Sequence, residues 1–330
     1  MEIVRSHTAV PASARGAAVA LGNFDGVHPG HRSVIAGAVE KARDLDVPSA
    51  VMTFDPHPRR FFQADADPFE LTPGETKARH IAALGVDVLF LIPFDRSFAE
   101  ISAEEFVDDV LAEALGVRHV VAGYNFVFGR GRGGDIGMLW EAGDRNGFGV
   151  SVVSAVGGGD GAVFSSTAIR DRLRAGNVCQ AATLLGRPWE VEGVVMSGDQ
   201  RGRQIGFPTA NVDPGDYLMP LLGVYAVWVG IVDGEKTDWR RGVVNVGRRP
   251  TFDGESVTVE VNLFDFEGDL YGRTLRVAFA DFIRPEMKFD GIDAIRAQIA
   301  ADCDAARFAL EGIVAGAANA LPDAAAVDAA

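Results

Sequence analysis

Two domains of different class are predicted for this chain of 330 residues: an α/β domain on a mostly parallel sheet, then an antiparallel β barrel or sandwich that ends in a helix. Three observations predict it. Up to Gly186, short apolar runs alternate with amphipathic helical stretches, as in a parallel sheet with helices on both faces. From Arg187 onward, helical periodicity gives way to short alternating runs punctuated by Gly, Asp and Pro. The chain is also long enough for two cores. The expected division is 1–186 and 187–315, with 316–330, low in complexity and Ala-rich, as a disordered tail.

In the first half, Ala17–Leu21 reads as a buried strand and His31–Asp44 as a helix. Between them runs LGNFDGVHPGH, Leu21–His31. A Gly-rich turn from strand to helix N-terminus brings backbone N–H groups and the helix dipole to bear on an anion. Gly22, Gly26 and Gly30 allow close approach. His28 and His31, three apart, can lie on one side of the helix entrance and donate to phosphate oxygens. With Asp25 as the lone nearby carboxylate and no Cys, the pair makes a poor zinc site.

Ser49–Phe54 is the next strand and leads into DPHPRRFF, where two prolines flanking His57 predict an extended, non-helical loop. Glu75–Leu84 is helical, Val88–Pro93 a strand, and Ser102–Leu115 an amphipathic helix opened by a Ser102/Glu105 capping box. His119–Phe128 is a strand running into GYNFVFGRGRGGD, Ile136–Arg145 a helix, and Val150–Val156 a strand. Phe54, Phe62 and Phe128, in or beside these strand-end loops, either stack on a flat heterocycle or pack in the core. Asn125 is a phosphate or ribose ligand or a turn residue. Arg130 and Arg132 are phosphate contacts or part of a solvated loop. In SSTAIRDRLRAGN, Ser165–Asn177, the Ser/Thr run caps a helix carrying Arg170, which makes a second anion site or a plain capped helix.

In the second half, strands are expected at Val191–Met196, Gly223–Val229, Gly242–Val246, Val257–Phe264 and Leu275–Phe279, with a helix from Asp293 to about Gly312. SGDQRGRQIGFPTANV, Ser197–Val212, places Gly198, Gly202 and Gly206 with Arg201 and Arg203 in a basic loop suited to phosphates. It lacks the G-K-[ST] ending of a Walker A loop. On the strand Val257–Phe264, alternation sets Val257, Val259, Val261 and Leu263 on one face and Thr258, Glu260 and Asn262 on the other.

A net charge of −15 argues against nucleic-acid binding through a basic surface. No apolar run reaches the length of a membrane span, and the N-terminus has no secretory core. Cys179 and Cys303 form no metal spacing. A cytoplasmic, reduced protein of small-molecule chemistry is expected, with a homo-oligomer left open.

HPGH looks like the H-x-G-H signature of the nucleotidyltransferase superfamily. GNFDGVHPGH as a whole resembles the adenylyltransferase half of the bacterial bifunctional riboflavin kinase/FAD synthetases. FDPHP, GYNFVFG, the S-S-T-x-I-R segment, LLGRPW, GRQIGFPTAN and DLYG match the family in its order. The resemblance implies a Rossmann-like nucleotidyltransferase domain followed by a riboflavin kinase β-barrel. It implies phosphorylation of riboflavin to FMN, then adenylylation of FMN to FAD, with ATP as co-substrate and Mg²⁺ or Mn²⁺ as the metal. Carried over by position, His28, His31 and Glu260 are catalytic. Gly22, Phe24, Asp25, Gly26, Asn125, Ser166, Thr167 and Arg170 bind ATP at the first site. Gly198, Arg201, Arg203, Gly206, Thr209 and Asn211 hold phosphates at the second, Thr209 and Asn211 also the metal. Phe54, Pro56, His57, Pro58, Phe62, Phe128 and Phe207 face flavin. Many relatives read V-H-L where this chain has Val261-Asn262-Leu263, a departure that leaves Glu260 untouched. The competing readings are another H-x-G-H transferase and a flavin carrier without turnover.

Overall fold

A computed structural model describes residues 1–157, 164–197, 202, 205–251 and 254–313. Packing divides the chain into two compact units, Met1–Ser166 and Thr167–Ala330.

The first unit is a six-stranded parallel sheet. Its strands are β1 (Glu2–Val4), β2 (Ala18–Leu21), β3 (Ser49–Asp55), β4 (Val88–Pro93), β5 (His119–Gly123) and β6 (Gly149–Val153). They lie in the order β1-β4-β3-β2-β5-β6. Both faces are covered, so the central strands are apolar throughout. One face (Ala20, Val51, Leu89, Leu91, Val121) packs on Val34, Ile35 and Ala38 of helix α1 (Pro29–Leu45). The other (Val19, Leu21, Met52, Phe90, Val120) packs on Phe106, Val107 and Leu139. From β2 the chain steps out to β3 and β4, then returns to lay β5 on the opposite side of β2. That reversal leaves a crevice at the C-terminal ends of β2 and β5, the usual place for a ligand in such sheets.

Several boundaries differ from expectation for local reasons. Glu2–Val4 is an edge strand too short to show alternation; it gains its hydrogen bonds from β4. Helix α1 begins at Pro29, with His28 as its N-cap. DPHPRRFF is not extended throughout: helix α2 (Pro58–Phe62) starts on a proline, whose missing N–H is harmless at the first position, and His57 caps it. Helix α3 is Gly74–Ala82 and α4 Arg96–Ala99. The Ser102/Glu105 capping box forms, and helix α5 (Ala103–Glu105) widens into π-type turns over Phe106–Ala114. Strand β5 stops at Gly123, and Phe128 instead pairs with Gly134. Helix α6 is Ile136–Asn146.

Helix α7 (Ser166–Arg174) begins on the last residue of the first unit and runs into the second, where α8 (Val178–Leu185) follows. A closed antiparallel barrel follows: β7 (Glu190–Met196), β8 (Ala210–Val212), β9 (Gly223–Asp233), β10 (Lys236–Thr251), β11 (Gly254–Leu263) and β12 (Thr274–Pro285). The order β10-β11-β8-β7-β12-β9 closes on itself, which settles barrel over sandwich. Between β7 and β12, Arg276 and Glu190 form an ion pair at 3.1 Å with side chains only 2% and 3% exposed. The Arg276 guanidinium also stacks on Trp239 at 4.9 Å. The last helix, α9 (Ile292–Ile313), seats Ala306 and Leu310 on Val224, Ala226 and Trp228. Arg284 fixes it with a two-pronged bond to Asp302, 2.8 Å on each side.

Candidate active sites

The first site is built on the turn after β2. The His28 Nδ1 accepts the His31 backbone N–H at 3.3 Å and so caps α1. The two imidazoles stack at 3.6 Å, tilted by 18°. Phe24 is buried and meets His31 edge-on at 5.4 Å. Gly30 leaves room for this packing, since a Cβ there would lie 3.2 Å from His28 Cε1 and press on the ring. Gly26 takes φ +90°, a left-handed conformation that glycine adopts without strain.

Asp25 is buried, and its Oδ1 accepts from the backbone N–H groups of Leu71 (2.9 Å) and Thr72 (3.0 Å). The Gly26 N–H donates to Thr72 Oγ1 at 2.8 Å. Asp25 therefore shapes the turn from below. The Ser166 hydroxyl, at the end of the first unit, donates to the Asp25 carbonyl at 2.8 Å. Thr167 and Arg170 follow in α7, within the second unit.

Asn125 follows β5, exposed at the sheet edge where β2 and β3 also end. Beyond β3, His57 is buried with its ring edge-on to Phe69 at 5.1 Å, and Pro56 and Pro58 flank it. Phe54, Phe62 and Phe128 belong to one chain of touching rings. Phe62 meets Phe94 (5.9 Å), Phe94 meets Phe54 (5.5 Å) and Phe98 (5.7 Å), Phe98 meets Phe106 (6.3 Å), and Phe106 meets Phe128 (5.3 Å). Phe128 is buried in the core, whereas Phe62 is 67% exposed at the other end of the ring chain. Phe61, Phe94, Phe98 and Phe126 were not singled out from sequence, although Phe94 and Phe98 closely follow the strand end at Pro93.

A buried polar group beneath these loops was also not foreseen: Glu70, Lys77 and Thr72. Lys77 Nζ donates to the Phe54 carbonyl at 3.3 Å. Burial pushes the Glu70 carboxyl up to about 7, against the pull of Lys77 and with help from Asp25 and Asp55. The only cue in sequence was a Glu in an apolar run, PFELT.

The second site lies on the barrel. Strand register sets Glu260 opposite Asn211 of β8 and opposite Asn245 of β10. Directly paired residues share a face, with Cβ atoms about 5 Å apart. Val259 and Val261 turn inward and are buried, as the alternation predicted. Asn262 donates to the Pro208 carbonyl at 2.7 Å, which ties down the segment leading into Thr209. Gly202 lies close above: a Cβ there would stand 3.1 Å from Thr209 Oγ1. A cleft of about 620 Å³ opens beside Thr209 and Asn211, with Phe266, Asp269 and Tyr271 in its wall. Gly206 takes φ +91°, and Phe207 packs on the cluster under α9. Gly198, Arg201 and Arg203 lie outside the described residues. Thr209 and Asn211 supply a hydroxyl and an amide oxygen beside a carboxylate, donors that fit a hard cation carried in with phosphates. Among the described residues no three His, Cys, Asp or Glu side chains gather as a metal cage.

Comparison with known proteins agrees with both halves. A family model for FAD synthetase matches residues 10–168, and one for riboflavin kinase matches 185–310. A bifunctional riboflavin kinase/FMN adenylyltransferase of Escherichia coli K12 is 41% identical over 304 residues, 92% of this chain and 96% of the relative. One from Bacillus subtilis 168 is 39% identical over 307 residues, 92% of this chain and 95% of the relative. A Streptococcus pneumoniae structure solved under the name macrolide-efflux protein superposes with TM-score 0.79 at 34% identity, covering 92% of this chain and 98% of its own. Among the described residues no helix of the present chain is long and apolar enough to cross a membrane.

Proposed function

Since the chain belongs to the bifunctional riboflavin kinase/FMN adenylyltransferase family, we propose that its two reactions run at the two sites just described, with the functional boundary at Gly186–Arg187. The chain phosphorylates riboflavin with ATP to give FMN, and adenylylates FMN with a second ATP to give FAD and pyrophosphate.

In the kinase reaction Glu260 takes the proton of the ribityl primary hydroxyl as its oxygen attacks the γ-phosphorus, and ADP leaves. An alcohol is a poor nucleophile at neutral pH, so a positioned carboxylate matters. Thr209 and Asn211 hold phosphate oxygens and would hold Mg²⁺ or Mn²⁺. When bound, the cation neutralises phosphate charge, which with positioning is most of what phosphoryl transfer asks of a protein. The cleft beside Thr209, with Phe266 and Tyr271 in its wall, receives the isoalloxazine.

In the adenylyl transfer an FMN phosphate oxygen attacks the α-phosphorus of ATP and pyrophosphate leaves. That oxygen is already ionised, because the second pKa of a phosphomonoester is about 6. The site therefore needs charge stabilisation and not a base. His28 and His31 supply it from one side, and the N–H groups of α1 add to it. Ser166, Thr167, Arg170 and Asn125 bind ATP, and the loop at His57 with exposed Phe62 receives the flavin. Free thiols at Cys179 and Cys303 suit a reducing cytoplasm.

The observation that carries the division is the stacked His28/His31 pair in one unit and the Asn211–Glu260 pair in the other. The test is a time course with riboflavin, ATP and Mg²⁺, resolving FMN and FAD by chromatography. His28→Ala lowers FAD formation by about 10²–10³, the cost of one transition-state donor, and leaves FMN formation intact. Glu260→Ala stops FMN formation, while FMN supplied directly is still adenylylated. A single substitution that removed both activities from a folded chain would refute the two-site reading.

A further inference from the structure

We infer that Glu70 is a positioning residue for FMN in the adenylyl transfer, and that Phe69–Thr72 is the strap aligning the flavin loop with the phosphate turn. This rests on the reading of the His57 loop as the flavin loop.

The strap touches both loops. At one end, the Leu71 and Thr72 N–H groups bond Asp25 at 2.9 and 3.0 Å, and the Gly26 N–H bonds Thr72 Oγ1 at 2.8 Å. At the other, the His57 backbone N–H donates to the Glu70 carboxylate, and Phe69 meets the His57 ring at 5.1 Å. Arg59 of α2 covers the outer face of Phe69 at 4.6 Å. The phosphate turn and the flavin loop follow different strands, β2 and β3, yet an error of about 1 Å between them would misalign the FMN phosphate with the α-phosphorus. Loops at strand ends are mobile unless tied, and here the tie is four residues long.

Glu70 is an odd choice for a purely structural tie. It is 3% exposed, and its Oε2 has no hydrogen-bond partner among the described residues. An unpaired buried carboxylate oxygen destabilises a fold, so an apolar residue would serve the core better. What an apolar residue cannot do is accept the His57 N–H. Lys77 of α3 holds the end of β3, just before the same loop, by donating to the Phe54 carbonyl at 3.3 Å.

The test is steady-state kinetics of FAD formation on the full chain, with its riboflavin kinase activity as the folding control. Glu70→Ala raises KM for FMN at least tenfold and leaves KM for ATP within twofold. Glu70→Gln, which keeps an acceptor for the His57 N–H, restores KM for FMN to within threefold. Thr72→Val, at the opposite end of the strap, raises KM for ATP and not for FMN. The inference is overturned if Glu70→Ala leaves KM for FMN unchanged, if both KM values rise together, or if Gln is as poor as Ala. Phe62→Ala separates the two levels. If it raises KM for FMN while Glu70→Ala does not, the strap is wrong and the flavin loop stands. If neither does, the flavin loop itself is misplaced.

Discussion

Gly30→Ala separates stability from chemistry at the first site. Gly30 is the second residue of α1, where alanine is the better helix former by up to about 1 kcal/mol. Its new Cβ would stand 3.2 Å from His28 Cε1 and 3.3 Å from Nδ1, a few tenths of an ångström inside the about 3.5–4.0 Å of ordinary contact. The imidazole cannot retreat toward His31, whose ring is stacked on it at 3.6 Å. It must turn or slide, loosening the 3.3 Å bond that it accepts from the His31 N–H. A full ångström of misplacement costs about 10²-fold in rate, so a few tenths should cost about tenfold, or about 1.4 kcal/mol of barrier. The assay is kcat for FAD formation from FMN, with FMN formation from riboflavin and the thermal midpoint measured on the same preparation. The expected result is a tenfold loss of the first, no change in the second and a midpoint unchanged or higher. FAD formation within twofold of the parent enzyme would refute the claim that His28 works from its observed position.

Glu70→Gln should make stability less dependent on pH. The folded-state carboxyl, raised to about 7 from 4.5, favours folding only while protonated. The parent chain therefore loses stability as pH rises from 4.5 through 7, by about 3 kcal/mol, and urea unfolding at pH 5 and pH 8 should show the variant relatively stronger at pH 8. Arg276→Ala should destabilise the barrel by about 3–5 kcal/mol, since it takes the guanidinium away from the buried Glu190 carboxylate; denaturant titration followed by tryptophan fluorescence reads this directly. Gly202→Ala places a Cβ only 2.3 Å from the Phe207 carbonyl oxygen, so it should abolish FMN formation and leave FAD formation from supplied FMN unchanged.

Much of this was legible in the sequence where one physical rule dominates. The buried strands announced themselves as apolar runs, and the alternation in Val257–Leu263 put Glu260 and Val261 on opposite faces because a strand has period two. The Gly-rich turn into α1 was legible as an anion site because strand, glycines and helix start are contiguous. What was not legible depends on contacts distant in sequence. Glu2–Val4 is a strand only because β4 lies beside it. The ring chain from Phe62 to Phe128 is assembled from four separate segments. Glu70 looks like an ordinary solvated acid until the fold buries it. Asp25 reads as a phosphate ligand from the motif alone, and its bonds to the Leu71 and Thr72 N–H groups, some 46 residues away, emerge only in the fold. Barrel or sandwich could not be decided from short alternating runs, since closure depends on β9 meeting both β10 and β12.

The closed barrel makes the kinase chemistry a question of parity. In an open sheet, a strand that gains one residue can slip sideways at its free edge and restore the lost alignment. A ring of six strands has no free edge at which to absorb the slip. One residue inserted within β11 ahead of Glu260 would turn that side chain into the barrel and bring Val259 or Val261 out beside Asn211. Two inserted residues would restore the side but shift the pairing by a step. Length changes during divergence should therefore be confined to the connections, such as Asp213–Leu222 between β8 and β9. The strands themselves should keep their length even where their residues drift.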